Sequence, residues 1–274
     1  MTDRDNTARI VGAADIVVVY ALVLAYMMVA GRFFNAIGNK WISLFFSVGL
    51  GAIPLLYAIA RGMHLSATFR AGKPCVKDFF GSIILMLGVF AVVITALGVC
   101  GPYLPQNPVS EAIIKVQIMD DSLPYSIAAL TVLPAVFEEV LCRGFILSGL
   151  RNVMPSRVAV IVCALLFALL HFDPARLPFT FCAGLALSWV AIETGSLLYP
   201  VLMHFAYNFL LFAMVRYGDF FGKINVVRTV AESVFSDRSA ILQVVSVSAW
   251  FAIGLLAIVA GVRIVKAPAK SATL

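Results

Sequence analysis

The chain has 274 residues, 62% of them hydrophobic and 12% charged, with a mean hydropathy of +1.01. A soluble domain carries about 25% charged residues and about 45–50% apolar ones, so the composition excludes an ordinary cytosolic enzyme, a disordered chain and a nucleic-acid binder. An all-α, polytopic membrane protein remains, and its net charge of +6 reads as basic cytoplasmic loops in contact with anionic membrane lipids.

A hydrocarbon core about 30 Å thick takes about 20 helical residues to cross. Apolar runs of that order fall at 10–31, 42–60, 79–100, 123–150, 158–175, 178–193, 197–216 and 241–263, which predicts about eight transmembrane helices, one of them open to a re-entrant reading. Ile10–Ala30 is too long for the apolar region of a cleaved signal peptide. Segment 61–78 carries Arg61, Arg70, Lys73 and Lys77 against Asp78. Segment 101–122 carries Glu111, Asp120 and Asp121 against Lys115. Arg151 and Arg157 lie in the 151–157 linker, and Arg263, Lys266 and Lys270 in the tail. With both termini cytoplasmic, eight spans place the three basic segments inside and the acidic one outside. The polar stretch 217–240 has room for a surface helix. Three regions follow: N-terminal helices over 1–122, a polar-bearing core over 123–216, and a loop with a last helix and basic tail over 217–274. The five cysteines, Cys75, Cys100, Cys142, Cys163 and Cys182, show neither metal-ligand spacing nor a disulfide framework.

Ionisable groups inside a membrane cost about 2.5–3.5 kcal/mol each on insertion scales and persist where they pair, line a cavity or do chemistry. The first three runs contain almost none. The fourth to seventh contain Glu138, Glu139, Arg143, His171, Glu193, His204 and Asn208, while His64 lies in a basic loop. On a helix, Glu139 and Arg143 are four apart and share a face, the acid in the favoured N-terminal position. Glu138 points about 100° away and is left without a partner, facing something else. A carboxylate on a semi-apolar cavity suits a proton acceptor. His171 follows Phe167 at the same four-residue spacing. His204 and Asn208 are also four apart, which stacks an imidazole and a carboxamide as two potential donors. A packing histidine, a Glu–Arg lock and an interhelical clasp worth about 1 kcal/mol explain each cluster alone. Three such clusters on adjacent spans point to a shared site. At about 1.5 Å rise per residue, Glu138 lies about 19 Å and His171 about 21 Å from the 151–157 linker. From Gly195-Ser196, His204 lies about 12 Å and Asn208 about 18 Å in. All four reach a similar depth.

The ordered set Glu138-Glu139-x-x-x-Arg143, Phe167-x-x-x-His171, His204-x-x-x-Asn208 resembles the CPBP family, the CAAX-processing and bacteriocin-processing intramembrane proteases, also called the Abi or Rce1-like type II CAAX endopeptidase family. Gly184-Leu185 and Glu193-Thr194-Gly195-Ser196-Leu197 are similar to the family's segment before its last histidine. The resemblance covers roughly 123–212. It implies peptide-bond hydrolysis in or near the membrane, on a membrane-anchored or lipidated protein or peptide, prenylated in the CAAX-type members. It makes Glu138 the base that activates water, with His171 helping to hold that water. His204 and Asn208 stabilise the oxyanion, and Glu139, Arg143 and Phe167 support the site. No Gly-x-Ser-x-Gly elbow and no His-Glu-x-x-His motif is present. A zinc set of Glu138, His171 and His204 stays open. Metal-free, glutamate-activated water is preferred, because Asn208 is a poor zinc ligand and a good donor. The competing readings are a non-catalytic scaffold or bacteriocin-immunity-type protein of the same fold, and a proton-coupled transporter. No internal repeat supports the transporter. The compact chain favours a bacterial plasma membrane as its location.

Overall fold

The computed structural model describes residues 9–37, 41–70, 72–105, 118–119, 121–218 and 240–267, and among these the regular secondary structure is helical but for one isolated bridge between Arg9 and Met63. Eight long helical segments follow one another: α1 (Ala13–Ile37), α2 (Trp41–Ala60), α3 (Val76–Cys100), α4 (residues 123–153), α5 (Ser156–Leu169), α6 (Leu177–Thr194), α7 (Leu198–Arg216) and α8 (Ala240–Lys266). Five of them, α1, α3, α6, α7 and α8, contain apolar stretches of 18 residues or more, enough to cross a membrane, and α2 and α5 add shorter apolar helices. The all-α membrane architecture expected from composition is the architecture found. The expectations for Glu111, Lys115, Asp120, Lys270 and a surface helix within 219–239 lie outside the described residues.

One end of the bundle gathers the basic loops. The Arg9 and His64 backbones pair, with Arg9 N–H donating to Gly62 O, and Asn152 donates to Val11 O. Lys77 Nζ donates to Val265 O at 2.8 Å, and Leu197 N–H to Arg70 O at 3.0 Å. The first described residues therefore meet residues 62–64 and the end of α4, the last meet the start of α3, and the α6–α7 turn meets Arg70, all at a common face. At the opposite face Arg216 donates to Ile118 O.

Close packing without a hydrophobic driving force favours small residues between membrane helices. The antiparallel pair α3 and α8 meets this need with glycine. A Cβ on Gly88 would stand 2.7 Å from Gly254 O, and one on Gly261 would stand 2.5 Å from Leu85 N and 2.7 Å from Gly81 O. A second core gathers Val19 and Val23 of α1 and Leu50 of α2 against Leu141, Phe145 and Ile146 of α4. Every residue from Leu141 to Leu150 is buried, so this half of α4 has protein on all sides.

α4 is not a regular helix. Residues 128–132 and 140–146 are π turns that bracket Leu133–Glu139. Such turns are uncommon and frequent at functional sites. Cys142 O accepts the Leu147 N–H five residues on, and the Cys163 thiol of α5 at 3.3 Å.

Three expectations change. The fifth run was expected to continue to 175, but α5 stops at Leu169 and His171 lies in the turn beyond. Phe172 there has φ of 48°, the left-handed geometry that closes a helix. Asp173 precedes Pro174, which disfavours a helical residue before it, and its carboxylate accepts the Ala175 N–H at 3.0 Å. Glu193, counted among the intramembrane polar residues, is exposed in the last turn of α6. Conversely α1 carries a buried acid: Asp15 is satisfied by Arg9 at 2.9 Å, Gly12 N–H at 3.0 Å and Tyr57 OH at 2.8 Å.

Candidate active site

The sequence-named residues come from α4, the end of α5 and α7, with α6 behind them. Glu139 and Arg143 form the buried base of the arrangement. Both side chains are 0% exposed, and Arg143 Nη1 donates to Glu139 Oε1 at 2.7 Å. The rest of the guanidinium is also engaged: Nε donates to Ser188 Oγ at 3.2 Å and Nη2 to Gly184 O at 3.0 Å, both on α6. Its plane lies 4.5 Å from the Phe167 ring centroid. A buried charge is tolerated when paired and hydrogen-bonded, and here each guanidinium nitrogen has a partner.

Glu139 Oε1 also meets His204 Nδ1 at 2.8 Å. A carboxylate already receiving a guanidinium proton is an acceptor, so Nδ1 carries the hydrogen and Nε2 points away from Glu139. On that other side stands Glu138, whose Oε2 is 3.9 Å from His204 Nε2. This is too long for a direct hydrogen bond and short enough for a bridging water. Glu138 is 19% exposed where Glu139 is fully enclosed. The two consecutive glutamates thus face different surroundings.

His171 is held from its backbone side. Nδ1 lies 3.0 Å from Phe167 O, an acceptor only, so this ring too has its hydrogen on Nδ1 and presents Nε2 outward. Phe167 stands edge-on to both imidazoles, 5.0 Å from the His171 centroid and 5.7 Å from that of His204. It spaces the two histidines and covers Arg143.

His171, His204, Asn208 and Phe167 line one cavity of about 430 Å³. Most of its wall is apolar, from residues such as Met86, Leu130 and Phe179, and Pro134 lines it one turn before Glu138. The four residues named as catalytic are therefore brought together: three on the cavity wall, and Glu138 beside His204. The sequence reading missed three contributors. Arg176 lines the cavity and pairs with Asp173 at 3.2 Å, Tyr207 lines it between His204 and Asn208, and Ser188 anchors Arg143. The Asp173-Pro174-Ala175-Arg176 run between two apolar segments was the available signal for Arg176. A serine in an apolar helix carries none.

Among the described residues no three His, Cys, Asp or Glu side chains converge into a metal-holding set.

Comparison with curated proteins and with solved structures gives no match. Residues 120–210, which contain all seven motif residues, match the family of type II CAAX prenyl endopeptidase Rce1-like proteins, the family to which the order of the motifs points.

Proposed function

We propose that the chain is an intramembrane endopeptidase that hydrolyses a peptide bond of a membrane-anchored protein or peptide with water activated by Glu138. The observation that carries this reading is the meeting of His171, His204 and Asn208 on one cavity wall, with the Glu138 carboxylate 3.9 Å from His204 Nε2. The apolar remainder of the cavity suits a lipid-bearing or hydrophobic substrate segment.

Glu138, as carboxylate, takes a proton from a water molecule whose oxygen attacks the scissile carbonyl carbon. His171 Nε2 accepts that water's second hydrogen and so fixes the direction of attack. The tetrahedral oxyanion lies against Asn208 and His204. Because His204 gives its Nδ1 hydrogen to Glu139, it donates from Nε2 only as imidazolium. Glu138, Glu139 and Arg143 alone leave one net negative charge, which that imidazolium neutralises. Collapse of the intermediate breaks the C–N bond, and the proton held on Glu138 passes to the leaving amine. Donors prearranged for an oxyanion contribute about 10²–10³ in rate, and general acid–base transfer about 10²–10⁴.

The same reading places the basic face in the cytoplasm of a bacterial plasma membrane, with the described ends of the chain on that side. Purified protein tested on a panel of prenylated, otherwise lipidated and unmodified peptides decides the activity. Glu138→Gln is expected to abolish cleavage while insertion and unfolding midpoint stay unchanged, and a metal chelator to leave the wild-type rate as it was. Cleavage at the wild-type rate by Glu138→Gln overturns the assignment of the base. A cellular phenotype that survives Glu138→Gln favours a binding role, and loss to chelator with recovery on added zinc favours a metal mechanism.

A further inference from the structure

Away from the cavity, at the basic face, residues 61–70 tuck beneath the end of α4. Ser148 Oγ donates to Thr68 O at 2.9 Å and Leu197 N–H to Arg70 O at 3.0 Å, which fixes Arg70 against α4 and the α6–α7 turn. There Arg70, Arg151, Ser148 and Ser196 border a small recess of about 10 Å³, with Arg143 at its floor. Arg143, Leu147 and Arg151 lie four residues apart and line it from one row of α4.

The charges in this recess are not balanced. Arg143 is neutralised by Glu139, but among the described residues neither Arg70 nor Arg151 is in an ion pair. Arg70 spends only its Nε, on Ala67 O at 3.3 Å. Arg151 Nε is buried and has no hydrogen-bond partner. A buried donor left unmade costs about 1–3 kcal/mol, more when charged. Burial and the neighbouring Arg151 charge together hold the Arg70 guanidinium below its ordinary pKa. Two guanidiniums from separate elements, mutually repelling and held in place by backbone contacts, are completed by an anion that both can bind. Guanidinium forks match phosphate oxygens bidentately. A recess of this size admits about one oxygen atom, so the anion would seat one oxygen while its remainder stays at the surface. The face is the one that anionic headgroups would meet.

We propose that Arg70 and Arg151 form an anion site that binds a phosphate oxygen, supplied by an anionic phospholipid headgroup or by free phosphate. This site is independent of the hydrolysis proposed above.

The full chain, purified in neutral detergent, is given equimolar phosphatidylglycerol and phosphatidylcholine, and retained lipid is counted by native mass spectrometry. In a parallel arm, inorganic phosphate is titrated while the unfolding temperature is read. Wild type is expected to prefer phosphatidylglycerol, or to be raised in unfolding temperature by phosphate. Arg151→Gln and Arg70→Gln are each expected to weaken the response at least about fivefold, and Arg157→Gln, on the same face but outside the recess, to leave it unchanged. Preference for the phospholipid without a phosphate response identifies a headgroup site, and the reverse identifies free phosphate. Arg151→Lys keeps the charge and the fold while losing the fork, and is expected to fall between wild type and Arg151→Gln. A wild type that discriminates neither anion, or glutamine variants that bind both as wild type does, overturns the proposal.

Discussion

Replacing Arg143 by Met tests the electrostatic base of the site most directly. The change keeps a long, flexible side chain against Phe167 and removes the guanidinium that meets Glu139 at 2.7 Å, Ser188 at 3.2 Å and Gly184 O at 3.0 Å. Glu139 is fully enclosed, and its Oε2 has no partner, so no solvent is available to take over the lost interaction. Removing one member of a buried ion pair costs about 3–5 kcal/mol, because the other charge is stranded. Glu139→Gln strands Arg143 less completely, since Ser188 and Gly184 still accept from it, and about 1–3 kcal/mol is expected. The double variant removes both members of this ion pair and retains an amide oxygen for His204 Nδ1. It should therefore be more stable than Arg143→Met alone, with a coupling of about 2–3 kcal/mol in the cycle. Equilibrium unfolding in mixed micelles, run on all four proteins, reads this. A loss below about 1 kcal/mol for Arg143→Met, or strictly additive single losses, would refute the buried pair as the organising contact.

Two further outcomes follow from packing and orientation. Gly261→Val sets a branched side chain where a Cβ already meets Leu85 N at 2.5 Å, so the α3–α8 crossing must open. A destabilisation of about 1–3 kcal/mol is expected in the same micelles, while Gly101→Ala, at a glycine with open space around it, is expected to be neutral. The native Cys100 is exposed at the far end of α3 from Lys77, and Arg157 is exposed at the basic face. In vesicles of opposite sidedness, an impermeant maleimide should label Cys100 from one side only and an Arg157→Cys, Cys100→Ala variant from the other. Labelling of both from the same side would contradict the single crossing, α4, between them and the common basic face.

The helices were legible because twenty apolar residues in a row have one physical use, and basic loops alternate with them. The Glu139–Arg143 contact was legible because four-residue spacing fixes a face on a helix. The sequence did not reveal that π turns bracket Leu133–Glu139, since a π turn has no composition of its own and arises from how α4 fits its neighbours. It also misjudged the end of α5. Counting apolar residues carried the helix across His171 and Phe172, whereas the Asp173-Pro174 pair was the stop signal. Glycines at 81, 88, 254 and 261 read as neutral residues in a hydropathy scan, because their value lies in letting two backbones approach, which needs the partner helix to be known. Arg70 and Arg151 read as topology markers, and only the folded loop places them at one recess.

Consecutive glutamates with different partners impose a further constraint on the chemistry. Glu139 Oε1 takes both Arg143 and His204 Nδ1, which leaves the free end of the imidazole, Nε2, turned toward Glu138. On the proposed mechanism Glu138 and His204 act as one unit, and a water bridging the 3.9 Å gap would touch both. Groups acting as a unit lose their function together, so removing the second costs little more. Glu138→Gln and His204→Gln are each expected to lower kcat by about 10²–10⁴, and the double variant is expected to be no slower than the worse single one. Independent roles would instead multiply the losses, to about 10⁴ or more at the least. Single-turnover cleavage of the best peptide from the panel separates the two cases, since it reads the chemical step without product release. Multiplicative losses would show that the 3.9 Å approach is incidental, with His204 serving the oxyanion alone.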